Sequence, residues 1–526
     1  MAIMRRRMSE LDEQADQPST SQDRWQLVVW IIALAVLAFF AFSGTDQREP
    51  DVELPVNTVR GEQIAQSVCV TCHVPPDPSE ADRYEWAMEL LEEKRTWLSI
   101  EFFDFRRHPG GEAVAKAQIF PRTRAVSDSD WRAVCEHYLA HSQVRMHAER
   151  EELSETKQFE PTVLPYPAPA RITLVRFDPA GVLYLGNTSS NVLHVVSPTG
   201  RILATPPIAS PPVDLTVDAE GMFITCIGSM AETDIPDGEL VFIEKPKAGG
   251  SRVSSLLKNL MRPVHTSMAD LNSDGRQDLV ISERGALLGR FAVYQNKGSN
   301  QFEPLPLLKH AGAVQSAVAD FNGDGAADIA IAVSHAKEAI YVFDNVDGDF
   351  SKRTVVEKSP LWDFSCLVAA DLNGDGHPDL IAGNGAAEDP TQFARQNRAY
   401  HGIRAYLNDG SGKFAEKHLL SLAGARKIVA HDFDRDGDAD IAAIADDEIH
   451  PFVYLRNKGE QGFQAGALHQ SVGGRWFDLD LGDLDGDGDT DIILGAYNVA
   501  QNASARIKGR WESGETKLLV LKNTSR

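Results

Sequence analysis

The stretch DLNGDGHPDL, Asp371 to Leu380, places oxygen-bearing side chains at its first, third, fifth and ninth positions: Asp371, Asn373, Asp375 and Asp379. Its sixth position is Gly376. Calcium takes roughly six to eight oxygen ligands, so four side chains, the backbone carbonyl at position 7 and water meet its demand, and the glycine permits the tight turn. The stretch opens like an EF-hand loop but does not close like one. Position 12, where an EF-hand needs a bidentate glutamate, is Ala382, and an apolar strand pattern (LIAG) follows instead of a helix.

Working outward, the same loop recurs five times, and all five copies keep their ligands. DLNSDGRQD supplies Asp270, Asn272, Asp274 and Asp278, and DFNGDGAAD supplies Asp320, Asn322, Asp324 and Asp328. DFDRDGDAD supplies Asp432, Asp434, Asp436 and Asp440, and DLDGDGDTD supplies Asp483, Asp485, Asp487 and Asp491. Position 12 is apolar in every copy (Ile281, Ile331, Ala382, Ala443, Leu494), and position 2 (Leu271, Phe321, Leu372, Phe433, Leu484) is expected to point into the core. The copies start 50, 51, 61 and 51 residues apart, and weaker versions lie around Asp178 and Asp218. An apolar run follows each loop, and in four copies a second run ends in an Asn or Asp turn, as in FVYLRNKG. Repeats of this length carrying several short strands predict a β-propeller of about seven blades over residues 170–526. The final LLVLKN, Leu518 to Asn523, is expected to supply the last strand of the seventh blade or to close the ring. The one longer interval reflects an insertion at Ala386 to His401, whose Arg395, Arg398, Tyr400 and His401 mark the best place for a substrate loop.

This D-x-[DN]-x-D-G-x-x-D loop resembles the FG-GAP or VCBS repeat family. The resemblance implies blades stabilised by as many as five Ca2+ ions, with a structural rather than catalytic role for the metal, and a propeller that serves as a binding scaffold.

A different chemistry stands near the N-terminus. In CVTCH, Cys69 to His73, two thiols one helical turn apart suit the two vinyl groups of a haem, and the adjacent His73 suits its iron. No second CxxC and no βαβ pattern surround it, which argues against a zinc site or a thioredoxin-like dithiol. The other cysteines, Cys135, Cys226 and Cys366, are far apart and read as small buried thiols. A helical pattern leads into the motif, another spans roughly Ala81 to Leu98, and Ser127 can cap a closing helix, Asp128 to His141, with Trp131, Val134 and Tyr138 on one face. These features resemble a small class I cytochrome c. That implies one covalent haem c on Cys69, Cys72 and His73 and single-electron transfer, with Pro75 or Pro76 orienting His73. The loop before the closing helix lacks the usual methionine, so Met88 is taken as the sixth ligand, with His108 or an open iron as alternatives.

An unbroken apolar run, Leu27 to Phe42, follows four arginines, Arg5, Arg6, Arg7 and Arg24. It predicts a transmembrane signal anchor with the rest of the chain exported to the periplasmic or cell-surface side. The expected organisation is therefore multidomain. It comprises a cytoplasmic segment 1–24, an anchor 25–43, a linker 44–60, an all-α cytochrome c domain 61–147, a linker 148–169 and an all-β propeller 170–526. A formal charge of −24 rules out a general attraction to nucleic acid or to anionic lipid, since those polyanions would be repelled. The expected function is membrane-anchored electron transfer to a redox partner protein, the propeller acting as a docking scaffold with a possible glycan or protein ligand. The alternatives are a quinoprotein-like oxidoreductase passing substrate electrons to the haem, or an adhesion or assembly protein.

Overall fold

The computed structural model describes residues 57–525 except 145–150, 179–180, 246–251, 336, 387–397, 470–472, 500–502 and 514–515. Residues 56–526 form one compact unit. Within it lie seven sheets that are the blades of a propeller, antiparallel except that the short strand Ser154–Glu155 adds parallel to the edge of blade 6. Blades 1 to 6 run over residues 172–204, 212–260, 263–308, 313–358, 364–421 and 425–467. Blade 7 takes three strands from residues 476–523 and its outermost strand, Phe159–Leu164, from the other end of the unit.

The sequence pattern explains the layering. Second strands such as Asp328–Val333 and Asp440–Ala445 are buried at every position, because neighbouring blades cover both faces. Outer strands such as Asp349–Lys358 are mostly exposed or half-buried. A separate apolar cluster fills every blade-to-blade boundary. Val175, Leu183 and Leu185 of blade 1 meet Ile493, Leu518 and Val520 of blade 7, so the ring is closed. Each aliphatic side chain fully buried there contributes about 1.5–3 kcal/mol. Of the position-2 residues, Leu271, Phe321, Leu372 and Phe433 are buried between blades, and Leu484 is half-buried.

Closure has two further devices. Phe159–Leu164 pairs antiparallel with Leu518–Asn523, so LLVLKN is the third strand of blade 7 and the stretch read as a linker supplies the fourth. On the inner wall Asp478 of blade 7 accepts the Val175 N–H at 2.7 Å and faces Arg176 at 3.2 Å, while Arg176 also pairs with Asp214 of blade 2. Two backbone ends thus meet in one sheet, and buried ion pairs tie the inner strands.

The N-terminal part of this unit is helical: α1 (Asn57–Val68), α2, α3 (Gly111–Ala117) and α4 (Asp128–His141). Helix α2 runs as Arg83–Glu85, a π-helical turn Trp86–Leu90, and Leu91–Trp97. Ser127 caps α4 as expected, accepting the Asp130 N–H at 3.1 Å. Helix α1 crosses α4 so closely that a Cβ on Gly61 would stand 2.0 Å from the Ala133 carbonyl oxygen.

These helices do not form a separate all-α cytochrome domain, which corrects the expected fold class. They are short, and the cluster of Ala65, Ala81, Trp86, Leu91, Trp131 and Tyr138 is completed by Leu361 and Tyr400 of the propeller. Some 85 residues bury too little on their own, and the propeller supplies the missing wall. Two pins reinforce the contact. Arg398 donates to Glu85 and, at 2.8 Å, to the Leu361 carbonyl. His108 Nε2 lies 2.6 Å from the Asp234 carboxylate, which also accepts the Ala286, Leu287 and Leu288 N–H groups. Arg398→Ala should leave the Glu85 carboxylate buried without its cation, loosening the layer by about 3 kcal/mol. The expected result is faster amide exchange across Arg83–Trp97 with blade protection unchanged.

The anchor expected at 25–43 lies outside the described residues. Among the described residues no helix is long and apolar enough to cross a membrane. Helix α2 spans 15 residues from Arg83 to Trp97, and α4 has 14.

Topology separates the two chemistries. Every Asp-rich loop joins the first strand of a blade to the second, so all five lie on one face. The helical layer touches the 359–363 crossover and the 233–235 and 398–401 turns, which the antiparallel order places on the opposite face.

Candidate functional site

The five loops share one geometry. The position-6 N–H donates to the position-1 carboxylate at 2.8–3.1 Å in every copy. The position-5 N–H donates to the position-3 oxygen at 2.9–3.3 Å. Such a fold requires left-handed backbone at position 6, where φ runs from +80° at Gly275 to +100° at Gly437, hence glycine.

Position 9 does two jobs. Asp278, Asp328, Asp379, Asp440 and Asp491 are fully buried. One carboxylate oxygen of each accepts the position-2 N–H of its own loop, as Leu372 to Asp379 at 2.9 Å. The other accepts the N–H of an asparagine on the third strand at 2.7–2.8 Å. Burial raises all five carboxyls, Asp328 and Asp440 to about 6. A divalent cation offsets that cost, because it favours the ionised form.

In blades 6 and 7 three carboxylates of each loop converge. Carboxylate oxygens of Asp432, Asp434 and Asp440 lie within 4.8 Å of one another, as do those of Asp483, Asp485 and Asp491. These loops carry five aspartates each against three in the others. A basic side chain lies against each of the two: Arg456 pairs with Asp434 and stands 3.6 Å from Asp436, and Lys522 stands 3.1 Å from Asp485. In blades 3 to 5 asparagine replaces the position-3 aspartate, so the sites form two charge classes.

Sequence reasoning noted the Asn turns but missed their role. Asn345, Asn408, Asn457 and Asn523 each donate Nδ2 to the position-2 carbonyl of the preceding loop at 2.8–2.9 Å. Each also reaches the position-8 carbonyl of its own loop at 2.9–3.2 Å. A single amide therefore clasps two adjacent blades. The signal available in the sequence was the fixed position of Asn, in place of any other turn residue, at the end of the third strand.

On the opposite face, Cys69 to Thr71 forms a single 3-10 turn at the end of α1. Cys69 is half-buried, Cys72 is exposed, and both are free thiols. Burial raises the Cys69 thiol and lowers His73, which favours a neutral imidazole. His73 Nδ1 lies 2.9 Å from the Val74 carbonyl, which leaves Nε2 available as a ligand atom. The orienting carbonyl is thus that of Val74, whereas the Pro76 carbonyl accepts the Tyr138 hydroxyl at 3.2 Å. Val70 within the motif and Val74 next to it are exposed, so the turn presents apolar surface.

Met88 lies in the π-helical turn and is 43% exposed, so it does not serve as core packing. His108 Nε2 is engaged by the Asp234 carboxylate at 2.6 Å, which leaves Nδ1 as its remaining ligand atom. The insertion is put to structural use: Arg398 and Tyr400 hold the helical layer, with the Tyr400 hydroxyl donating to the Glu80 carbonyl at 3.2 Å. Arg395 lies outside the described residues. Cys226 and Cys366 are buried and Cys135 is half-buried, each raised by burial.

With this geometry in hand, comparisons with known proteins point to the Asp-rich loops. The FG-GAP-like repeat family matches residues 270–331, 320–382 and 432–494. Phosphatidylinositol-glycan-specific phospholipase D of Bos taurus is 32% identical over 197 residues, covering 31% of this chain and 22% of that protein. Integrin alpha-4 of Xenopus laevis is 33% identical over 152 residues, covering 25% and 14%. The matched stretch thus spans less than a quarter of each relative's length. Among solved structures, the N-terminal domain of Nup159 superposes with a TM-score of 0.40 at 11% identity, covering 71% of this chain and 97% of that one. The protein carries FG-GAP-like repeats in a seven-bladed β-propeller, an architecture that fits a binding or adhesion scaffold.

Proposed function

We propose that the protein is an exported electron-transfer protein: a calcium-stabilised propeller scaffold whose helical layer carries one covalent haem c. The observation that carries this reading is the CVTCH turn itself, with two free thiols, a histidine held by Nδ1 with Nε2 open, and exposed apolar side chains around it. Haem c bound there supplies one-electron exchange. Cys69 and Cys72 would hold the group covalently, His73 would offer Nε2 as a ligand, and Met88 is the candidate for a second ligand. Burial keeps His73 neutral and fit to ligate. On the other face the carboxylates of the five loops hold Ca2+ and keep the blades rigid for a redox partner protein.

The test is covalent haem after export in a host that matures c-type cytochromes. The wild-type chain should retain about one haem through denaturing electrophoresis and give a pyridine haemochrome spectrum, and Cys69→Ala with Cys72→Ala should lose both. A wild-type chain without covalent haem overturns the reading. Met88→Ala in the haem-loaded protein should open the iron to carbon monoxide, seen as a shifted Soret band. An unchanged spectrum removes Met88 from ligation.

A second reading, a pure adhesion or binding scaffold, is favoured by the likeness of the repeats to integrin alpha-4. It requires the full chain to do its work with Cys69 and Cys72 as plain thiols.

A further inference from the structure

The loop after α2 carries a surface that neither the calcium loops nor CVTCH explains. Phe102 is 92% exposed and Phe105 is 36% exposed. Behind them stands a cluster of rings: Phe103 and Phe120 stack at 4.6 Å, Phe103 meets Phe105 at 5.1 Å, and Trp97 meets Phe120 at 4.7 Å. None of these five rings belongs to a buried core cluster among the described residues.

Charge singles out the same place. The chain is formally −24, whereas residues 92–128 hold seven Lys and Arg against six Asp and Glu, so this segment is close to neutral. At the tip the side chains of Arg106 and Arg107 are 91% and 88% exposed, sharing one carboxylate, Asp104, at 3.0 and 3.5 Å. Glu101 is taken by Arg95 at 2.6 Å. The remaining negative charge of the chain is attenuated over a screening length of about 8 Å, so a partner touching the tip meets the arginines.

Bare phenylalanine flanked by two exposed arginines that share a single carboxylate matches one chemistry in particular. Rings enter the acyl boundary of a bilayer while guanidinium groups stay with phosphate headgroups. An acidic protein surface would favour the arginines but leave Phe102 without an apolar home. We propose that the Phe102–Arg107 tip docks the helical layer on an anionic phospholipid surface. This inference is independent of the haem, because no residue of CVTCH takes part.

The assay uses the compact 56–526 unit, closed by its own strands and cores, with vesicles of about 30% phosphatidylglycerol in phosphatidylcholine. The unit should float with these vesicles, fail to float with pure phosphatidylcholine, and release as salt rises. Arg106→Glu with Arg107→Glu should weaken binding roughly thirtyfold or more, about fivefold per lost arginine and further by the new charges. Phe102→Ala should weaken it at unchanged charge, and at 92% exposure the change leaves the fold intact. Absence of binding to anionic vesicles at low salt overturns the proposal, as does binding equal in wild type and both variants. Binding lost in the arginine variant but kept in Phe102→Ala also overturns it, since it would mark a purely electrostatic contact.

Discussion

Chelating calcium from the protein at pH 7.5 is expected to lower its unfolding midpoint by about 10–20 °C. Each site filled at a hundredfold excess over its Kd adds roughly 2.7 kcal/mol to the folded state, and five independent sites act on one ring. The pH dependence has a definite sign. The position-9 carboxyls are raised by burial in the metal-free fold, Asp328 and Asp440 to about 6, above the usual carboxylate value. In the metal-free protein their contribution to stability is therefore greatest below the unfolded pKa and is lost as pH rises through 6. Calcium needs the ionised form, so the calcium increment grows over the same window. Scanning calorimetry with and without chelator at pH 5 and 7.5 checks both statements. Equal melting in all four conditions would remove metal from the account of the loops. The all-aspartate loops of blades 6 and 7 should bind first, through their higher charge, with Arg456 and Lys522 displaced.

The second large effect needs no metal. Asn457→Ala is expected to cost about 2–4 kcal/mol, because it strands the Leu372 carbonyl of blade 5, 2.9 Å away, and the Ala439 carbonyl of blade 6, 3.1 Å away. Asn457 is 1% exposed, so water does not replace the lost amide. Asn408→Ala should behave alike, losing Phe321 at 2.9 Å. Asn296 supplies the control. Blade 2 has no full Asp-rich loop, and Asn296 Nδ2 reaches only its own loop, at Gln277. Its substitution should cost nearer 1 kcal/mol, measured as a shift in denaturant midpoint at constant m. Equal losses at Asn296 and Asn457 would refute the clasp between blades.

The loops were legible because their chemistry is local. Positions 1, 3, 5, 6 and 9 lie within nine residues, and the turn brings them together without help from elsewhere. Glycine at position 6 and the apolar run after position 9 likewise announce a left-handed turn and a buried strand. CVTCH is legible for the same reason, since both thiols and His73 sit on one turn. What escaped were contacts between residues far apart in sequence. Asn523 reaches a carbonyl at Phe433, and Arg398 reaches Glu85 some three hundred residues away. No local pattern distinguishes such an asparagine or arginine from one that faces water.

The sequence by itself determined the repeat, its length and the blade count, because periodicity dictates them. It also misled in one respect. The helical patterns before CVTCH, over Ala81 to Leu98 and over Asp128 to His141 read as a domain of their own, but a helical pattern does not say what will cover its apolar face. Only the tertiary structure decided that Leu361 and Tyr400 complete that core, and that residues 159–164 are a strand of blade 7 instead of a tether. Topology alone put the Asp-rich loops and the helical layer on opposite faces. Burial and ring closure are properties of the whole chain, and they are settled only when its distant parts meet.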